Sequence, residues 1–134
     1  MQWKNMEEVF EYSGKPVAKP RMVRSDKYKK RPVVMNYWTF KDRIIRQAKA
    51  AGFKLGNTYK VTFVMPMPTT LSEKKKAEYN GKPHQVRPDV DNMLKAVNDC
   101  LLEEDSAVYY VVAKKVWGYE GKIILENFPE NLDF

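Results

Sequence analysis

Hydrophobic and polar residues alternate most cleanly over residues 58–66, where Tyr59, Val61, Phe63 and Met65 are interleaved with Lys60 and Thr62. Side chains two apart share a face of an extended chain, so this run predicts a half-buried strand, stopped by Pro66 and Pro68. Residues 6–12 alternate in part and predict a first strand, ended by Ser13-Gly14. Residues 107–117 are rich in β-branched and aromatic types and predict another strand. A turn over Gly118-Tyr119-Glu120-Gly121 then predicts a returning strand from Lys122 to Leu125.

Between the strands the period lengthens to that of a helix. Over residues 37–51, Trp38, Ile44, Ile45 and Ala48 fall on one face, with Phe40 and Phe53 near it. Lys41, Arg43, Arg46 and Lys49 keep the outside basic, and Gly52 suits a C-cap. A short helix is expected over 73–79, ended by Asn80-Gly81. A third helix is expected within the stretch 88–105. Met93, Leu94, Val97, Cys100 and Leu101 form its apolar stripe, and Asp91, Lys95 and Asp99 stack on the opposite face. Pro88 suits the start of that helix. The order β-α-β-α-α-β-β implies an α+β fold, with one mixed or antiparallel sheet and helices packed on it. One domain over 1–134 is expected, with a basic arm over 15–31. A tail over 127–134 is expected to be flexible or to pack across a neighbouring subunit.

Charge adds a partner to this picture. There are 24 Lys and Arg against 17 Asp and Glu, a net charge of +7, which favours polyanions and nucleic acid first. Much of the excess lies in Lys15, Lys19, Arg21, Arg24, Lys27, Lys29, Lys30 and Arg31, opposed by Asp26. Pro16, Pro20 and Pro32 oppose a helix there, so an extended, partly mobile arm that touches the phosphate backbone is expected; a solvated loop is the plainer reading. The single cysteine, Cys100, forbids an internal disulfide and falls on an apolar helix face. The N-terminus has no apolar signal core, and no apolar run approaches a membrane span.

The candidate chemistry is acidic. Asp89 falls at or just inside the start of the third helix, where a carboxylate is favoured, and Asp91 is close to it. Two neighbouring hard carboxylates suit a hard cation such as Mg²⁺. The plainer reading is a helix cap beside a solvated charged face. The preceding loop, 81–88, carries Lys82, His84, Gln85 and Arg87. His84 is the only histidine, which excludes a His-rich zinc site. It reads as a loop residue near substrate rather than as a general base.

Pro88-Asp89-Val90-Asp91-Asn92-Met93-Leu94-Lys95, followed by Asp99 and by Glu104-Asp105-Ser106, resembles the signature of the RusA family of Holliday-junction resolvases. Gly14-Lys15-Pro16-Val17-Ala18-Lys19-Pro20-Arg21 resembles that family's basic segment, and Lys82-Pro83-His84 leading into Arg87-Pro88-Asp89 also matches. Ala107 stands in place of the family's usual Gln, and the stretch from Asp99 to Asp105 is shorter than usual. The resemblance implies a Mg²⁺-dependent nuclease, with Mn²⁺ an expected substitute. It implies a four-way DNA junction cut symmetrically by a homodimer, in a bacterial cytoplasm and a phage or prophage context. Asp89, Asp91 and Asp105 become the expected metal ligands, with Glu104 as the backup for Asp105. Lys95 is expected to stabilise developing charge. Asp99 is expected to support the site by holding Lys95 or a water. Arg87 and the arm are expected to bind DNA. Two alternatives stand beside this: a nuclease for other branched or flap DNA, and a non-catalytic basic DNA-binding protein.

Overall fold

The computed structural model describes residues 8–21 and 31–129. Arg24, Lys27, Lys29 and Lys30 of the arm, residues 6 and 7 of the expected first strand, and the tail from 130 lie outside the described residues. The elements run β1 (Val9–Ser13), α1 (Pro32–Ala51), β2 (Thr58–Pro66), α2 (Glu73–Tyr79), α3 (Val90–Leu101), a short 3₁₀ turn (Asp105–Ala107), β3 (Tyr110–Gly118) and β4 (Lys122–Asn127). The fold is α+β with one mixed sheet, and its element order is the expected one.

The strands lie in the order β1-β4-β2-β3. β4 is antiparallel to β1 and to β2, whereas β2 and β3 are parallel. A parallel pair needs a crossover, which the connection through α2 and α3 supplies. The expected hairpin between the last two strands is not formed. β4 instead passes the end of β2 and pairs on its other side. Gly118 permits the close passage at that end, because a Cβ there would lie 2.3 Å from Val64 Cγ1.

One sheet face carries the core. Tyr59, Val61, Phe63, Ile123 and Leu125 are fully buried there, beneath Tyr37, Phe40 and Ile44 of α1 and Met93, Ala96 and Val97 of α3. Burial of each large apolar side chain stabilises the fold by about 1.5–3 kcal/mol. α2 buries no residue; it is held at its start by Ser72, whose side chain accepts from the Lys75 N–H.

Several boundaries differ from the sequence pattern. α1 begins at Pro32, not at 37, because proline at the first helical position loses no hydrogen bond. Its inward row is Val34, Tyr37, Phe40, Ile44 and Ala48, which leaves Trp38 55% exposed rather than in the core. Gly52 is the expected left-handed C-cap, with φ 69°. β3 begins three residues later than expected, since Asp105–Ala107 turn as a 3₁₀ helix. β4 extends two residues past the expected Leu125, through Asn127, which takes Asn127 out of the expected tail. No described helix is long and apolar enough to cross a membrane.

Candidate active site

The site is built at the N-terminal end of α3. Asp89 occupies the N-cap position with extended backbone, φ −71° and ψ 144°, yet its side chain makes no capping hydrogen bond. Asp91 follows in the first turn, and both residues are exposed. The Asp89 carboxylate is therefore not spent on holding the helix, as the plainer reading requires. Both aspartates line an open cleft of about 700 Å³, together with His84, Gln85, Arg87 and Lys115. Exposed Arg87 precedes the cis Arg87–Pro88 peptide and adds a guanidinium to the cleft.

Lys115 is the residue the sequence reading missed. Its Nζ donates to the Val86 carbonyl at 2.6 Å and to the Pro88 carbonyl at 2.7 Å. These charge-assisted bonds fasten the loop that delivers Asp89 to strand β3. No alternation of residue types marks Lys115 in the sequence; in the structure Val111, Ala113, Lys115 and Trp117 are the half-buried positions between exposed Tyr110, Val112 and Lys114. A lysine on that face needs acceptors, and the loop carbonyls provide them.

The loop is also paired along the edge of β3. Pro83 bridges Val116, the His84 N–H donates to the Lys115 carbonyl, and the Trp117 N–H donates to the Lys82 carbonyl. His84 is thus not an open loop residue but is 5% exposed, with its ring 4.3 Å from that of Trp117. Burial and the Lys115 charge lower its pKa, against a smaller opposing hydrogen bond of the ring with its own backbone. Its Nδ1 is buried without a hydrogen-bond partner.

Asp99 lies on the same exposed side of α3 as Asp91 and Lys95, but its partners come from elsewhere. The Tyr37 hydroxyl donates to it, and Lys19 and Lys41 approach to 3.3 and 3.7 Å. The backbone N–H of Lys19 also donates to the Asn92 carbonyl, so the arm meets α3 at Lys19. Lys95 is exposed one turn beyond Asp91, and among the described residues no ion pair joins it to Asp99. Exposed Trp38 shares a hollow with Lys19, Lys41 and Asp99. Beside this group, burial and the Tyr37 contact push the Cys100 thiol in opposite directions, and burial prevails, raising it to about 11.

This group predicts a pH effect. Burial by itself would raise the Asp99 pKa, but the Tyr37 and Lys19 hydrogen bonds and the Lys19 and Lys41 charges hold it below 3.8. A depressed carboxyl contributes stability above its unfolded pKa and loses it as pH falls through the folded value. Asp99→Asn should therefore flatten the fall in melting temperature below about pH 4. Asp99→Ala should cost about 1–3 kcal/mol in denaturant titration at neutral pH, because the buried Tyr37 hydroxyl loses its acceptor.

Asp105 is not brought to the pair. α3 spans about 18 Å over its length, Asp89 precedes its first residue, and Asp105 starts the 3₁₀ turn beyond its last. Glu104 caps that turn, its carboxylate accepting from the Ser106 N–H. Among the described residues, no three His, Cys, Asp or Glu side chains gather to hold a metal ion. Two hard carboxylates on an open cleft fit Mg²⁺, which binds through one or two carboxylates with waters and phosphate oxygens around the rest. They do not form a three-carboxylate cage. Lys15 and Arg21 are exposed, and Arg31 donates to the Arg21 carbonyl. A hollow of about 590 Å³ beside Asn57, Tyr109 and Phe128 contains none of the expected site residues.

Comparison with known proteins agrees with the motif. No match is found among curated proteins. The family model described as endodeoxyribonuclease RusA matches residues 13–126, from the end of β1 into β4, and so includes the arm, the cleft and α3. The chain belongs to the RusA family of endodeoxyribonucleases.

Proposed function

We propose that the chain is a Mg²⁺-dependent endodeoxyribonuclease that resolves four-way DNA junctions by paired, symmetric cuts as a homodimer. The observation that carries this reading is the Asp89 carboxylate, which makes no capping bond and faces an open cleft with Asp91. These two residues would hold the cation. When bound, it supplies an activated water and offsets charge on the phosphate. Arg87 would anchor a phosphate at the cleft, and Lys95, one turn beyond Asp91, would stabilise charge that develops in the transition state. A two-fold enzyme matches a two-fold junction and places one site on each of two opposed strands.

The test is cleavage of matched four-way, three-way and linear DNA with Mg²⁺ or with EDTA. Paired nicks in the four-way junction, present with Mg²⁺ and absent with EDTA, are expected. Equal cutting of all three would assign a less selective nuclease, and binding without any cutting would assign a DNA-binding protein. Mn²⁺ should substitute for Mg²⁺ in the same assay.

Two variants probe the arm and the third acid. Lys15→Ala with Arg21→Ala should weaken binding to every DNA shape and reduce the log–log salt slope by about 0.9 for each lost duplex contact. An unchanged slope would make the arm a solvated loop. Asp105→Asn should lose more cleavage than Glu104→Gln, because Glu104 is already engaged with Ser106. Since Asp105 lies beyond the far end of α3, its contribution has to come through the second protomer or a shift of the 102–109 connection. Single-turnover cleavage ranks the two, and the reverse order would transfer the role to Glu104.

A further inference from the structure

We propose that the hollow beside Trp38 binds an unstacked nucleobase of a DNA strand, with Trp38 as the stacking residue and Lys19 and Lys41 as partners of the adjoining phosphates. This rests on the DNA-binding part of the reading above and deepens it; it does not rest on cleavage. The hollow has a volume of about 460 Å³ and is lined by Lys19, Tyr37, Trp38, Lys41, Asp42 and Asp99. That volume lies within the range of about 300–1,000 Å³ typical of small-ligand sites. Trp38 is 55% exposed, although Tyr37 and Phe40 of the same helix are buried. The core therefore does not use Trp38, and its large apolar surface is open to a partner. Stacking on an aromatic side chain accepts any base, because every base has a π face.

The charges around Trp38 suit a nucleotide better than an apolar partner. Lys19 and Lys41 meet Asp99 at 3.3 and 3.7 Å, yet their side chains are 37% and 41% exposed. Each ammonium carries three donors, so a phosphate oxygen can bind beside the Asp99 carboxylate. Asp99 also accepts from the Tyr37 hydroxyl, and Asp42 is the other acid of the hollow. Over the whole of α1, Lys41, Arg43, Arg46 and Lys49 stand against Asp42, which keeps the helix attractive to a polyanion. An aromatic side chain flanked by cations is the combination that binds single strands.

The hollow also lies within a strand's reach of the cleft. Asp91 lines the cleft and Asp99 the hollow, on the same exposed side of α3. Along the helix they are about 12 Å apart, which is about three to four nucleotides at 3.4 Å per phosphate. Lys19 joins the two places: its backbone N–H donates to the Asn92 carbonyl, next to Asp91, and its side chain meets Asp99. Bases within a duplex are already stacked on each other, so Trp38 serves a strand whose bases are free.

The test is affinity in EDTA, by fluorescence anisotropy, of the full chain for a labelled single-stranded octanucleotide and for a duplex of the same sequence. Trp38→Ala and Trp38→Leu should each weaken single-strand binding by about 5–150-fold, the loss of one stacked base, and leave duplex binding unchanged. Trp38→Phe should keep most of the affinity, because leucine is apolar without a π face and phenylalanine has one. The Trp38 variants should keep the log–log salt slope, whereas Lys41→Ala should reduce it by about 0.7 for a single strand. Wild-type affinity in the alanine and leucine variants, an equal loss on the duplex, retention by leucine as well as phenylalanine, or an unchanged slope in Lys41→Ala would each overturn the proposal. Val33 and Met35 of the same helix are exposed too, so light scattering follows the oligomeric state. A dimer that Trp38→Ala turns into a monomer would assign the patch to a second copy and overturn the proposal as well. Wild-type protein that binds DNA but never cuts a junction would overturn the nuclease reading and leave this site standing.

Discussion

Asp89→Asn and Asp91→Asn should each abolish Mg²⁺-dependent cleavage, by on the order of 10³-fold or more, and leave junction binding within a few-fold of wild type. An amide nearly keeps the shape of the carboxylate but loses the charge that a hard cation requires. Neither substitution should unfold the protein. Both residues are exposed, and the Asp89 side chain makes no capping bond whose loss would weaken α3. Binding should even tighten slightly, because a negative charge beside the phosphate is removed. Single-turnover cleavage and a gel-shift titration on the same junction separate the two effects. Wild-type-like cutting by both variants would remove the metal-site assignment, whereas loss of binding and cutting together would point to damage of the fold.

Lys115→Met should lower cleavage by about 10²-fold without removing either aspartate. Methionine keeps most of the unbranched stem but loses the ammonium that joins the Val86 and Pro88 carbonyls to β3. A charge-assisted hydrogen bond contributes about 1.5–3 kcal/mol to a fold, so the loop should loosen even where the sheet remains intact. Displacement of a catalytic group by about 1 Å costs on the order of 10²-fold in rate. Hydrogen exchange should show the matching local effect, faster exchange at the His84 and Trp117 amides, which pair the loop with β3. The strand amides shared by β2 and β4 should keep their protection. A folded Lys115→Met protein with wild-type cleavage would show that Asp89 is positioned by α3 without help from β3.

Residues close in the chain made much of the fold legible. The alternation at Tyr59, Val61, Phe63 and Met65 marks four buried positions of β2, and the stripe at Met93, Val97 and Cys100 marks the inward face of α3. Both are periodic features, set by backbone geometry over two to four residues. The motif from Pro88 to Lys95 also pointed to the family that the match over 13–126 then showed. Where the pattern misled, two local readings were nearly equivalent. Trp38 is as apolar as Tyr37, and only the position of the sheet decides which of them turns inward. The turn after β3 has hairpin residues, but β2 takes one edge of β3 and the 82–84 loop pairs along the other.

The site divides in the same way. The chain by itself determined the acidic pair, because Asp89 and Asp91 are two apart at a helix start that Pro88 announces. It did not determine what holds or accompanies them. Lys115 meets the loop across separations of 29 and 27 residues, Tyr37 meets Asp99 across 62, and Asp99 finds Lys19 and Lys41 rather than Lys95. It also placed Asp105 near in sequence, whereas α3 sets it at the opposite end of a rigid rod. Local pattern reports which side chains share a face; which of them meet across the protein follows from strand order and crossover, decided only when the whole core packs.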